Sequence, residues 1–173
     1  MTRPNPPSSP VCFAAEASDS YMGYHDRDEL VQALSELLEA ERAGAKVGVG
    51  LVEAAPDPDA LALARTVRDD EARWCRMLAQ ALRRLGAKPS LKVGDFYGKV
   101  MAIDGLEARL ALLNRGQGWV VRKLEALLPK VRDDTLHAEL KAMLDAHVEN
   151  IELTERTLAR RRGGSADPIS SAR

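Results

Sequence analysis

Residues 67–86 of the chain read VRDDEARWCRMLAQALRRLG. Its apolar side chains recur every three or four positions, as on a helix with one buried stripe: Val67, Trp74, Leu78, Leu82 and Leu85. Glu71 falls on the same stripe. Because a buried carboxylate is costly unless something pairs with it, the stretch predicts a core helix whose acidic residue meets a polar partner.

The composition of the chain favours one helical domain. It has 173 residues, of which 45% are hydrophobic, and its net charge is −1 with acids and bases interspersed. This distribution predicts neither a nucleic-acid partner nor a membrane partner. The run Arg160, Arg161 and Arg162 precedes Gly163 and Gly164, which is typical of the end of a helix.

The cysteines and the N-terminal segment bear on the compartment. Cys12 lies in a segment rich in proline and serine and Cys75 in a predicted helix, so a structural disulfide is not expected and the compartment should be reducing. The first 20 residues lack the continuous apolar stretch of a signal peptide, and no run reaches the length of a membrane span. We therefore predict a cytoplasmic protein.

The chain divides into two tails and a bundle. Residues 1–25 are rich in Pro, Ser and Asp and predict a disordered tail, residues 26–162 form the predicted bundle, and residues 163–173 form a second disordered tail. Capping residues, prolines and glycines set the bounds of the predicted helices. The first helix runs from Asp26 or Asp28 to the APDPD stretch (residues 55–59), and the second runs from Pro58 to Leu85. A short helix follows near Phe96 to Met101, and two more long helices span about Asp104 to Leu128 and about Asp133 to Arg161.

The connections between the four long helices predict how they are arranged. The first and third connections are tight, so each should join an antiparallel hairpin. The middle connection, residues 87–103, could extend to ~55 Å and run the length of the bundle. This favours two hairpins joined by a long crossover, while a simple up-and-down bundle stays open.

Each predicted helix carries one polar residue in the middle of its apolar stripe. These residues are Glu41, Glu71, Gln117 and His147. All four lie about 13 to 16 residues after the start of their helix, so an antiparallel bundle should bring them into one layer. They are one another's expected partners.

This arrangement resembles the ferritin-like superfamily over about residues 28–160. In that superfamily a di-iron or di-manganese site takes one Glu from each of two helices and a Glu-x-x-His from each of the other two. By resemblance, Glu41 matches the single Glu of the first helix. Glu71 matches the Glu of the second-helix motif in EARWCRMLAQALRRLG, where Trp74 stands in the place of the His.

The second half of the chain departs further from that pattern. Gln117 takes the place of the Glu of the third helix, and His147 and Asn150 occupy the Glu and His places of the fourth-helix motif. The stretches DEARWC and LNRGQGWVVRKL also resemble a bacterial ferritin-like family whose function is unassigned. Two ferrous ions bring four positive charges that two carboxylates do not balance in a core, so a standard di-iron centre is not expected.

Two interpretations of the polar layer stay open. In one, Glu41, Glu71 and His147 bind a single Fe, Mn or Zn ion, completed by Gln117 or water. In the other, His147 lies between the two carboxyl groups in a purely structural hydrogen-bond network, and Gln117 satisfies what remains. No motif specifies a substrate or a reaction, so enzymatic activity is undecided.

The outer surface of the third helix bears on association. Its main stripe is predicted at Leu106, Leu110, Leu113, Val121, Leu124 and Leu128. A second set of large apolar residues lies off this stripe and predicts a homodimer face: Leu112, Trp119, Val120 and Leu127. The alternative to a metalloprotein is a metal-free helical scaffold that acts by binding a protein partner.

Overall fold

A computed structural model describes residues 21–164. The described chain is helical and contains no strand, with five α-helices: α1 (Arg27–Glu53), α2 (Pro58–Arg84), α3 (Phe96–Met101), α4 (Leu106–Leu127) and α5 (Asp134–Gly164). The prediction of an all-α fold is confirmed. None of these helices combines the length and the apolar character that a membrane span requires.

Side-chain caps explain where the first two helices begin. Asp26 accepts from the backbone N–H groups of Asp28 and Glu29, and Glu29 accepts in return from the backbone N–H of Asp26. Asp57 accepts from the backbone N–H of Ala60 at 2.8 Å, with Pro58 as the first helical residue. The predicted starts of these two helices are therefore correct.

The later boundaries differ slightly from the prediction. Helix α4 begins at Leu106, two residues after the predicted start near Asp104, because Gly105 adopts a positive φ of 84° that does not fit a helix. Pro129 then converts the end of α4 into a short 3-10 turn, Leu128–Lys130. Helix α5 continues to Gly164, two residues beyond the predicted end of the bundle.

The predicted tails lie mostly outside the described residues, which begin at Tyr21 and end at Gly164. Within the predicted N-terminal tail, residues 21–25 contact the turn after α4. The backbone N–H of His25 donates to the carbonyl of Lys130 at 2.9 Å, and the Lys130 ammonium donates to the carbonyl of Gly23 at 3.3 Å. These residues are therefore part of the folded unit, whereas disorder of residues 1–20 and 165–173 stays a prediction.

The connection between α2 and α4 runs the length of the bundle. At one end the Arg27 guanidinium donates to the carbonyl of Leu85 at 2.8 Å, so α2 ends beside the start of α1. Farther along, Ser90 donates to Glu39 at 2.7 Å, and Met101 lies against Gly50 near the end of α1. The long crossover is confirmed, and a simple up-and-down bundle is excluded.

The two hairpins pack with α2 antiparallel to α5. Arg84 pairs with Glu139, Asn150 donates to Asp70 at 3.0 Å, and Arg161 pairs with Asp57. Residue numbers fall along α2 as they rise along α5, so the two helices are antiparallel. Helix α1 likewise faces α4, as shown by the ion pair between Lys123 and Glu36 at 2.9 Å. The fold is the predicted bundle of two hairpins joined by a crossover.

A polar layer divides the buried core into two apolar clusters. The first cluster includes Leu34, Leu37, Leu38, Leu78, Leu82, Leu124, Leu140 and Met143. The second includes Val47, Leu51, Leu63, Val67, Leu110, Leu113 and Leu158. Glu41, Glu71, Gln117 and His147 lie between the two clusters along their helices.

The buried face of α4 differs from the predicted stripe. Val120 and Leu127, assigned to an outer dimer face, are 4% exposed and belong to the first cluster, whereas Val121 and Leu128 are only half-buried. The buried positions of α4 alternate in steps of three and four: Leu110, Leu113, Gln117, Val120, Leu124 and Leu127. Of the predicted dimer face, Trp119 remains exposed and Leu112 half-buried, and a homodimer stays a prediction.

Close packing of α1 on α2 at Gly48 can be tested by adding one methyl group. A Cβ at Gly48 would lie 2.8 Å from the Cα of Arg68, which is backbone and cannot rotate away. Gly48→Ala should therefore lower the free energy of unfolding by about 1 to 3 kcal/mol in urea denaturation. Gly118→Ala is the matched control, since its Cβ would meet only Arg122 at 3.7 Å and should stabilise α4 by up to about 1 kcal/mol. Equal effects of the two changes would refute this packing.

Candidate metal centre

The four predicted site residues come together in the middle of the bundle. Glu41 of α1 is 0% exposed, Glu71 of α2 4%, Gln117 of α4 2% and His147 of α5 1%. Each helix brings its residue inward because the residue occupies a position of that helix's buried stripe. The predicted convergence of Glu41, Glu71, Gln117 and His147 is therefore present in the structure.

The backbone of α5 fixes the orientation of His147. Its Nδ1 lies 3.0 Å from the carbonyl oxygen of Met143, one turn earlier. Because a carbonyl only accepts, Nδ1 carries a proton, and Nε2 is the nitrogen that faces the site. Histidines that bind metals are commonly held this way, with the second ring nitrogen donating to a carbonyl or a carboxylate.

Glu41 and His147 face each other without a hydrogen bond. Oε1 of Glu41 lies 3.3 Å from Nε2 of His147, yet neither atom meets the geometry of a hydrogen bond. Two ligand atoms of one tetrahedral ion, at about 2.0–2.1 Å from it, are separated by about 3.3 Å. The spacing therefore suits two groups that share a cation.

The Glu71 carboxylate is held between α4 and α1. The Gln117 amide donates to Oε1 of Glu71 at 3.4 Å. On the other side, the carboxylate occupies the space that a Cβ would fill at Gly44, one turn after Glu41. Glycine at this position of α1 allows Glu71 to reach the centre of the bundle.

Several buried polar atoms of this layer lack a hydrogen-bond partner among the described residues. They are both carboxylate oxygens of Glu41, Oε1 of Gln117 and Nε2 of His147. Ligand atoms of Glu41, Glu71 and His147 all lie within 4.8 Å of one another. Because buried polar groups are nearly always paired, we expect a water molecule or an ion to pair with these atoms.

Burial controls the ionisation of both carboxyl groups. It raises the pKa of Glu41 to about 8, and the charge of Asp70 acts in the same direction, while the neighbouring carboxyl group of Glu71 opposes them. Burial also raises the pKa of Glu71 well above its usual value, and the negative charge of Glu41 adds to the increase. Since the buried polar residues of the described chain include no lysine or arginine, a proton or another cation must balance these carboxylates.

The two positions that would carry further histidines do not contribute ligands. Trp74 is 3% exposed and belongs to the first apolar cluster, and an indole has no acceptor for a metal. The amide of Asn150 donates to Asp70 at 3.0 Å, so it is engaged with α2. Cys75 is half-buried, and burial raises the pKa of its thiol to about 12, which disfavours the thiolate that binds metals.

Sequence reasoning missed three groups that shape the site: Gly44, Asp70 and the carbonyl of Met143. A glycine one turn from an inward Glu in a helix interior was a usable signal for Gly44, because glycine there is costly without a packing reason. Asp70 precedes an inward Glu, so the helical period places it beside the site rather than on the stripe. The carbonyl of Met143 could not be identified from the sequence, because every residue has a backbone carbonyl.

The chain belongs to the family described as "Domain of unknown function (DUF6306)", whose model matches residues 28–156. A crystal structure of a ferritin-like, diiron-carboxylate protein from Bacillus anthracis str. Ames is similar in fold, with a TM-score of 0.69. The two share 17% identity, and the match covers 78% of this chain and 98% of the other. A search of curated proteins found no match. The predicted ferritin-like fold is confirmed.

The raised pKa of Glu41 predicts how the stability of metal-free protein depends on pH. A carboxyl group whose pKa is higher in the folded state stabilises the fold below its unfolded pKa of 4.5, and this contribution is lost as pH rises toward about 8. The free energy of unfolding of chelator-treated protein should therefore fall across this range, by up to roughly 1.4 kcal/mol per pH unit for one group. Urea denaturation at a series of pH values measures it.

Glu41→Gln serves as the control, because it keeps the shape of the side chain and removes the titration. The variant should show a shallower decline than the wild type over the same pH range. A stability that is constant or rises with pH in the wild type would contradict the assignment of a buried, protonated Glu41.

Proposed function

We propose that this protein binds one divalent transition-metal ion, Fe(II), Mn(II) or Zn(II), in the middle of its bundle. Glu41, Glu71 and His147 would be the protein ligands, and Oε1 of Gln117 would offer a fourth. The proposal rests on two buried ligand atoms, Oε1 of Glu41 and Nε2 of His147, which face each other at 3.3 Å and have no hydrogen-bond partner among the described residues. A cation between them removes the cost of burying both.

The charges of the site fit one ion and do not fit two. Two carboxylates balance one divalent ion, whereas two divalent ions would leave two positive charges uncompensated in the core. The positions of Trp74 and Asn150 add no ligand, for the reasons given above. The similar Bacillus anthracis protein is described as a diiron-carboxylate protein, and we propose that this chain holds one metal ion in its polar layer rather than two.

The residues around the ligands have positioning roles. The carbonyl of Met143 keeps the lone pair of His147 on Nε2, and the Gln117 amide and the bare Cα of Gly44 hold the Glu71 carboxylate against the layer. A bound ion would supply Lewis-acid chemistry, or redox chemistry in the case of iron. Carboxylate and imidazole ligands together suit Fe, Mn and Zn better than Mg or Ca.

Metal retention tests the proposal directly. Full-length protein is stripped with chelator, loaded separately with Fe(II) under anaerobic conditions, Mn(II) or Zn(II), desalted, and analysed by elemental analysis. One of the three ions should remain at about one equivalent per chain. Its addition should raise the melting temperature in proportion to the logarithm of metal concentration, because a ligand of the native state stabilises by mass action.

Two pairs of variants make the test specific. Glu71→Gln removes a ligand charge and should abolish retention, while Glu125→Gln changes an exposed carboxylate of α4 and should not. Gly44→Ala keeps every ligand but places a Cβ where the Glu71 carboxylate lies, so it should weaken retention, unlike Gly118→Ala. Background metal in the wild type with all three ions, and no thermal shift, would reject the metal site and leave the metal-free scaffold that binds a protein partner.

A further inference from the structure

A cavity of about 360 Å³ connects the surface of the bundle with the polar layer. It lies between α1 and α4, beneath Phe96 of the crossover helix α3. This size is within the range of about 300 to 1,000 Å³ that is usual for small-molecule sites. For comparison, a cavity of about 150 Å³ is large enough to hold benzene.

The walls of the cavity are formed mainly by apolar side chains. Ala40 of α1 and Leu112, Leu113 and Val120 of α4 line its sides. Phe96 packs so tightly on Gly116 that a Cβ there would lie 2.6 Å from its ring, which explains a glycine in the middle of α4. An apolar body is therefore what these walls accommodate.

The two ends of the cavity differ in chemistry. Its exposed lining residues, Arg115 and Trp119, mark the outer end. Its inner end is marked by the Glu71 carboxyl group and Gln117, which are 4% and 2% exposed. Oε1 of Gln117 has no hydrogen-bond partner among the described residues, so the inner end offers a buried acceptor that a ligand can satisfy.

We infer that this cavity binds a small apolar molecule that carries one uncharged hydrogen-bond donor. The apolar body packs between Ala40 and the apolar face of α4, and the donor reaches Oε1 of Gln117. An uncharged head is favoured because an ammonium would lose its hydration at the end of an apolar cavity. This inference goes beyond the proposed metal site and does not depend on it, since it concerns the metal-free protein.

Two probes of similar shape, one with a hydrogen-bond donor and one without, test whether the donor contributes to binding. Indole has one N–H donor, and 1-methylindole has nearly the same shape, no donor and one more apolar group. Both are titrated into chelator-treated full-length protein, with calorimetry or ligand-observed NMR as the readout. Indole should bind saturably and several-fold more tightly than 1-methylindole, because a net hydrogen bond is worth about 1 kcal/mol, or a factor of about five.

Three variants test whether indole binds in this cavity. Ala40→Phe fills the cavity from α1 and should weaken indole at least tenfold, while Ala126→Phe, on the exposed face of α4, should leave it unchanged. Gln117→Leu should weaken indole about fivefold and leave 1-methylindole unchanged or tighter. Circular dichroism and thermal melting establish that each variant is folded.

Three outcomes would overturn the inference. They are no saturable binding of indole to the wild type, affinity for indole that is unchanged in a folded Ala40→Phe variant, and equal or tighter binding of 1-methylindole. The metal proposal is judged separately, since its readout is retained metal and the present readout is obtained with chelator.

Discussion

Two carboxyl groups are buried in the apolar core of the bundle, and the buried residues of the described chain include no lysine or arginine to pair with them. Glu41 and Glu71 are 0% and 4% exposed, and each lies in the stripe that its helix turns toward the core. Burying such groups costs several kcal/mol per charge unless a partner compensates. His147 and Gln117 are the protein groups that approach them, and they leave oxygen and nitrogen atoms unpaired.

The architecture of the bundle accommodates this layer at specific points. The apolar core is interrupted at one depth on all four long helices, so a cluster of leucine and valine closes the layer on each side. Gly44 on α1 leaves room for the Glu71 carboxylate in the polar layer, and Gly116 on α4 leaves room for the ring of Phe96 from the crossover. The crossover therefore both determines the chain topology and covers the cavity that leads to the polar layer.

The fold could be predicted from the sequence because long apolar stripes, helix caps and one long connection are compatible with few arrangements of four helices. The four inward polar residues were readable for the same reason, as interruptions of those stripes. The buried face of α4 was predicted less well: the stripe was continued through Val121 and Leu128, whereas steps of three and four place Val120 and Leu127 in the core. The contacts of Met143, Gly44 and Asp70 depend on tertiary packing between helices, which one sequence does not specify.

We propose that one cation binds in the polar layer and balances its carboxylates. Anomalous diffraction from crystals of the full-length protein grown separately with Fe(II), Mn(II) and Zn(II), recorded on both sides of the absorption edge of each metal, locates any ion in this layer. We predict one anomalous peak per chain, at about 2.0–2.2 Å from oxygens of Glu41 and Glu71 and from Nε2 of His147. Two peaks in the layer with any of these ions, or none there with all three, would contradict it.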